Sequence, residues 1–135
     1  MALEEHPEAF FERFEAVAGT FEVLPVPYGY PLLELVTPEG VLPVFDRGAP
    51  PIEGGRFRVL IHGVVLSFEP RKEPAYVRPL PTGRTRLSGA VEADLGEGFF
   101  HVAATVPVLV HAPEALKVGE RYVFDLAPPL MGFRP

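Results

Sequence analysis

The sequence predicts an all-β protein: a compact β-barrel or sandwich of two pseudo-symmetric, four-stranded units of about fifty residues, with one N-terminal α-helix. Three observations carry this. A pattern occurs twice, as Leu42-Pro43-Val44-Phe45, Ala49-Pro50, Gly55-Arg56-Phe57 and Phe68-Glu69-Pro70, then as Val106-Pro107-Val108-Leu109, Ala112-Pro113, Glu120-Arg121-Tyr122 and Phe133-Arg134-Pro135. The offset between copies is 63 to 65 residues, so small indels separate them. Apolar periodicity shortens from helical to alternating at Thr20. Turn residues then punctuate the chain at short intervals.

The helix is expected over residues 4–18 of an N-terminal segment 1–19. Leu3, Phe10, Phe14, Val17 and Ala18 recur at helical spacing, with Phe11 at the margin of the stripe. Pro7 suits the first turn, Glu4, Glu5 and Glu8 suit the positive end of the dipole, and Gly19 stands where a left-handed cap belongs. The helix docks on a sheet or plugs one end of a barrel; the sharper alternative is that its Phe stripe holds a partner.

The first β unit is residues 20–70. Thr20–Val26 is rich in β-formers, with Pro25 arguing for an edge strand or a strand end. Pro38-Glu39-Gly40 joins Leu32–Val36 to Val41–Phe45 as a hairpin. Residues 48–55 form a loop. Phe57–Phe68 is the longest strand, with Gly63 read as a bulge or bend. Residues 71–84 form a Pro-rich basic connector, extended and stiff. The second unit, residues 85–135, repeats the scheme: strands over 86–95, 99–104, 106–111 and 121–127, a turn at Gly96-Glu97-Gly98, and a break at Pro128-Pro129 before Leu130–Phe133. A lone sheet of about fifty residues is marginal, so the two units are expected to bury their faces on each other within a single domain, 1–135. The alternative is two small barrels in tandem, each like the five-stranded oligonucleotide-binding (OB) fold.

Composition excludes several classes. There is no Cys, hence no disulfide, thiolate nucleophile or Cys-bound metal. The net charge of −6 works against general affinity for nucleic acid or anionic membrane. No apolar run approaches the roughly 20 residues of a spanning helix, and the acidic start lacks a secretory pattern, so a cytoplasmic setting is expected. The absence of Asn and Gln, the excess of Arg over Lys and the 17 prolines fit a thermophilic source.

Little catalytic chemistry is encoded. His62, His101 and His111 lie on predicted strands without metal-ligand spacing, so no metal and no cofactor is expected. Ser67 and Ser88 stand in no nucleophile elbow. Asp46 beside Arg47 reads as a solvated turn pair. The connector is the more suggestive stretch: from Arg71 to Arg86 it carries Arg71, Lys72, Arg78, Arg84 and Arg86 against Glu73 alone, with Tyr76 among them. Cations for phosphates and rings for bases are what single-stranded nucleic acid binding uses, with Tyr28, Tyr30, Phe99 and Phe100 as further candidate rings. A competing reading has the acidic helix lie over the connector and neutralise it.

Three function readings follow, in this order. The first is a non-catalytic binding or scaffold protein that self-associates as a homo-oligomer or holds a protein partner. The second is a single-stranded nucleic acid binder using Arg71, Lys72, Tyr76, Arg78, Arg84 and Arg86. The third is a small-molecule enzyme or carrier with its site at the barrel mouth.

Overall fold

A computed structural model describes residues 6–135. Helix α1 spans Pro7–Arg13 and is followed by a 3₁₀ turn, Glu15–Val17. Ten strands follow: β1 Gly19–Val23, β2 Leu32–Thr37, β3 Gly40–Asp46, β4 Gly55–Pro70, β5 Tyr76–Pro79, β6 Thr85–Asp94, β7 Phe99–Ala103, β8 Pro107–His111, β9 Arg121–Leu126 and β10 Met131–Phe133. Among the described residues no helix is long and apolar enough to cross a membrane.

The protein is all-β with one helix, and its strands close on themselves. β6, β7 and β8 form an antiparallel meander. β8 then pairs parallel with β4, and β9 joins β4 back to β6, which closes a five-stranded barrel. The N-terminal half repeats this circuit. β1, β2 and β3 form a meander, β3 pairs parallel with β10, and β10 returns through β4 to β1. This first ring is closed between β1 and β2 at Val23 and Leu35, beside a Leu24 N–H to Glu34 carbonyl bond of 2.9 Å. Both rings therefore run through their strands in the same order. Neither is self-contained: each takes one strand from the other half of the chain.

The pseudo-two-fold follows from register. Phe45 pairs with Met131 and Asp46 with Gly132, as Leu109 pairs with His62 and Val110 with Gly63. His62 and Met131 thus hold equivalent places, and they pair with each other across β4 and β10. The axis passes between them.

β4 is long because it walls both rings. Its first residues pair with β1, its middle with β10 and β8, and its end with β9. Alternation along it sends Val59, Ile61 and Val65 into the main core, while Leu60 and His62 face the helix. The ladder irregularity falls between Val65 and Ser67, not at Gly63. Gly63 is required for another reason: a Cβ there would stand 2.9 Å from both Leu126 Cδ1 and Leu130 Cδ2. Its counterpart Gly132 would put one 2.7 Å from Val44 Cγ2.

The helix is shorter than its apolar stripe suggests, and it covers an outer face rather than plugging an end. Phe10, Phe11, Phe14 and Val17 form a cluster with Leu60, Phe99, Leu109 and Phe133, separate from the interior. Phe10 sits 4.4 Å from the Phe133 ring and 5.1 Å from His62. Phe11 is buried too, with Arg58 over its ring. Gly19 is not a cap; it opens β1 opposite Val59. The expected contributions of Leu3, Glu4 and Glu5 lie outside the described residues. β1 stops at Val23, ahead of Pro25, which cannot donate to a ladder.

The connector also differs from expectation. Tyr76–Pro79 is a strand, paired with Thr85–Ser88 of β6. The turn between them is closed by the Leu80 N–H on the Arg84 carbonyl, with Gly83 at φ +89°. β5 is an edge strand, so Pro79 removes no ladder bond on its open side.

Gly63→Val is expected to lower unfolding free energy by about 1–3 kcal/mol through overpacking against Leu126 and Leu130. Chemical denaturation with an unchanged midpoint would refute the close approach. Phe10→Ala is expected to cost about 3–5 kcal/mol by emptying the aromatic cluster under the helix.

Candidate functional site

β5, β6 and β9 bring the basic residues together on the outside of the second ring. Arg78 stands opposite Arg86, and Arg86 opposite Asp125. Arg86 Nε donates to Asp125 Oδ1 at 3.2 Å. Arg71, at the end of β4, pairs with Glu69 at 2.7 Å and Glu73 at 3.3 Å, and these carboxylates raise its pKa further above its ordinary high range. Arg78 stacks over Tyr76, 4.3 Å from its ring centroid. Lys72, Arg78 and Arg84 are exposed, and no ion pair engages them among the described residues. Of this strip, only the charges of Arg71 and Arg86 are thus offset by neighbouring carboxylates among the described residues. Glu15, in the turn after the helix, binds Arg58 at 3.0 Å, and no ion pair joins Glu8 or Glu12 to the connector among the described residues.

The rings proposed to accompany these cations separate. Phe99 and Phe100 are buried, one under the helix and one in the core. Tyr28 and Tyr30 are exposed, but their loop follows β1, whose end pairs with the start of β4 at Gly55. The cations gather past the other end of that 16-residue strand.

The histidines do not converge on a site. His62 is fully buried, with Nδ1 3.1 Å from the Leu109 carbonyl and rings of Phe10, Phe99 and Phe133 around it. His101 and His111 do lie on paired strands, but His101 stands opposite Leu109 and His111 opposite Phe99, on which it stacks. No group of three metal-ligating side chains occurs among the described residues. The surface clefts of about 920, 500, 350 and 300 Å³ are lined by none of these three histidines.

Asp46 does not pair with Arg47. Its carboxylate takes a two-pronged bond from Arg134, Nε to Oδ1 at 3.0 Å and Nη2 to Oδ2 at 2.9 Å, and a third from the Gly48 N–H. Arg134 Nη2 also donates to the Pro50 carbonyl at 2.7 Å. This pair is almost wholly buried and ties the end of β3 to the residue after β10. Its 88-residue separation left no local signal in the sequence. Both carboxylate oxygens and the Nε and Nη2 of Arg134 have protein partners, so the pair serves as a buried tie between the two strands.

One surface feature escaped the sequence reading. β2 and β3 turn Leu33, Leu35, Leu42 and Val44 inward. Their other sides present Leu32 beside Phe45, Glu34 beside Pro43, and Val36 beside Val41. Five of these six are apolar, and Val36, Val41 and Phe45 are exposed, with Tyr28 and Tyr30 in the adjoining loop. The hairpin is fixed by Thr37 on the Gly40 carbonyl and by Thr105 on Glu39 at 2.6 Å. The alternation was visible in sequence, but an open outer face cannot be told there from a covered one.

Removing Arg134 strands Asp46 in a buried place. Arg134→Ala is expected to cost about 3–5 kcal/mol, whereas Asp46→Leu with Arg134→Met recovers most of that loss. Equal denaturation midpoints for Arg134→Ala and the parent would refute the buried pair.

Burial lowers the His101 pKa, with Glu92 opposing. The unfolded chain then takes up protons at a higher pH than the folded one. This stabilisation is complete above the unfolded value of about 6.5 and declines as pH falls through it. NMR titration should place the His101 midpoint below about 6.5, and His101→Gln should lose less thermal stability on acidification than the parent.

No family model, no curated protein and no solved structure matches this chain.

Proposed function

We propose that this chain is a non-catalytic, cytoplasmic binding or scaffold protein whose partner surface is the outward face of the β2–β3 hairpin. The observation that carries the reading is the contiguity of that face. Single exposed apolar side chains are ordinary, but here cross-strand register puts Leu32 against Phe45 and Val36 against Val41 on one rigid hairpin. A protein partner is the natural occupant of such a face. A second copy is one such partner. A symmetric face-to-face pairing, however, would bring two Glu34 carboxylates together amid apolar side chains, which favours a different protein.

A random peptide library displayed against the immobilised protein tests this. Enriched peptides should bind the parent and lose at least tenfold in affinity to Phe45→Asp, a surface change that leaves the melting curve in place. Enrichment that ignores Phe45, or none at all, would end the reading. Sedimentation velocity of the parent and Phe45→Asp reports whether the same face also joins copies.

Exposed Lys72, Arg78 and Arg84, with Tyr76 beneath Arg78, support a second reading, single-stranded nucleic acid along the β5–β6 edge. Labelled single-stranded DNA and RNA should then bind with an affinity that falls steeply between about 50 and 200 mM salt and is lost in Arg78→Glu with Arg84→Glu. Absence of binding at the lower salt would remove it.

A further inference from the structure

The two rings carry the same outward face, and among the described residues the helix covers that of the second ring only. The sequence repeat aligns Pro43 with Pro107 and Phe45 with Leu109. Register does the rest. Phe45 pairs with Leu32 and Pro43 with Glu34; Leu109 pairs with His101 and Pro107 with Ala103. Leu32 therefore answers to His101 and Glu34 to Ala103. By count along the chain, Tyr30 answers to Phe99.

In the second ring this face is where the helix lies. Phe14 is 4.7 Å from Phe99, and Leu109 belongs to the cluster of Phe10, Phe14 and Val17. Phe99 keeps 6% of its surface and Leu109 none. Phe45, in the place of Leu109 on the first ring, keeps 39%, and Tyr30, in the loop just ahead of β2, keeps 45%. The molecule thus contains its own example of how such a face is filled: by about two turns of helix with aromatic residues at helical spacing.

Glu34 decides which helix fits. The second ring has Ala103 where the first has a carboxylate, and no ion pair engages Glu34 among the described residues. Helix α1 and the turn after it carry Glu8, Glu12 and Glu15 against Arg13. A second copy's helix would bring like charge to Glu34, whereas a lysine or arginine there gains a partner. We infer that the open β2–β3 face is a receptor for an amphipathic helix of another protein, one with an aromatic apolar stripe and a cationic flank. This deepens the reading that the face holds a protein partner, and rests on it.

The probe is a capped, fluorescently labelled peptide of residues 7–18 in which Glu8, Glu12 and Glu15 are replaced by Lys. The unaltered peptide of residues 7–18 serves as its acidic counterpart. Anisotropy titration of the full chain should show the lysine peptide binding at least tenfold more tightly. Glu34→Lys should reduce that preference to below threefold, and Phe45→Asp should abolish binding of the lysine peptide. Glu114→Lys, a charge change on the distant β8–β9 loop, should leave the preference unaltered. A preference that Glu34→Lys and Glu114→Lys diminish equally would overturn the inference, as would binding that survives Phe45→Asp. If the displayed library yields Phe45-dependent peptides and the lysine peptide does not bind, the helix inference fails and the broader reading of the face stands. If neither yields binding that depends on Phe45, both fail.

Discussion

The structure depends on one exchange: each half of the chain completes its ring with a strand from the other half. β4 leaves the first ring to become a wall of the second, and β10 returns to fill the corresponding place in the first. Both joins are parallel ladders, which a chain reaches only by a long connection. Gly63 and Gly132, at equivalent places near the pseudo-two-fold axis, leave room for the side chains of Leu126 and Leu130 and of Val44 and Val59. The buried Asp46–Arg134 pair then fastens the returning strand to β3. Given that exchange, the single continuous interior follows, because the side chains of both rings meet across the shared β4.

The duplication preserved the frame and let the surfaces diverge. The helix occupies the outer face of the second ring and crosses onto β10, where Phe10 packs on Phe133. That placement buries His62 on the axis. The first ring keeps the same strands and the same alternation, but it has no such cover. The difference between the two faces is therefore one of what lies on them, and of the carboxylate at Glu34, rather than of fold.

Sequence made local features legible. The hairpin from Leu32 to Phe45 could be read because Pro38-Glu39-Gly40 is a turn whatever surrounds it, and the repeat could be read because β3 with β8 and the first half of β4 with β9 kept their residues. Features set by distant contacts could not. β5 was hidden because its prolines resemble a linker until an edge strand accounts for them. Gly63 looked like a bend because the side chains of Leu126 and Leu130 that exclude a Cβ are more than sixty residues away. Phe45 and Leu109 are equivalent positions of the repeat, and the docked helix is what separates their burial. Of the basic strip, the cations were legible, as was Glu69 two residues before Arg71, while the Asp125 that meets Arg86 came from a neighbouring strand.

The exchange also sets a timetable for assembly. The strands of the first ring from β1 to β4 are made early, but the strand that completes the ring, β10, is the last of the ten to be translated. During synthesis β3 must wait, unpaired on one flank, until residues 131–133 clear the ribosome. The second ring has its borrowed strand, β4, ready beforehand and can close as soon as β9 emerges. The half of the protein that is born first is thus finished last, and for most of its synthesis it is the half most open to chaperones and to misdirected strand pairing.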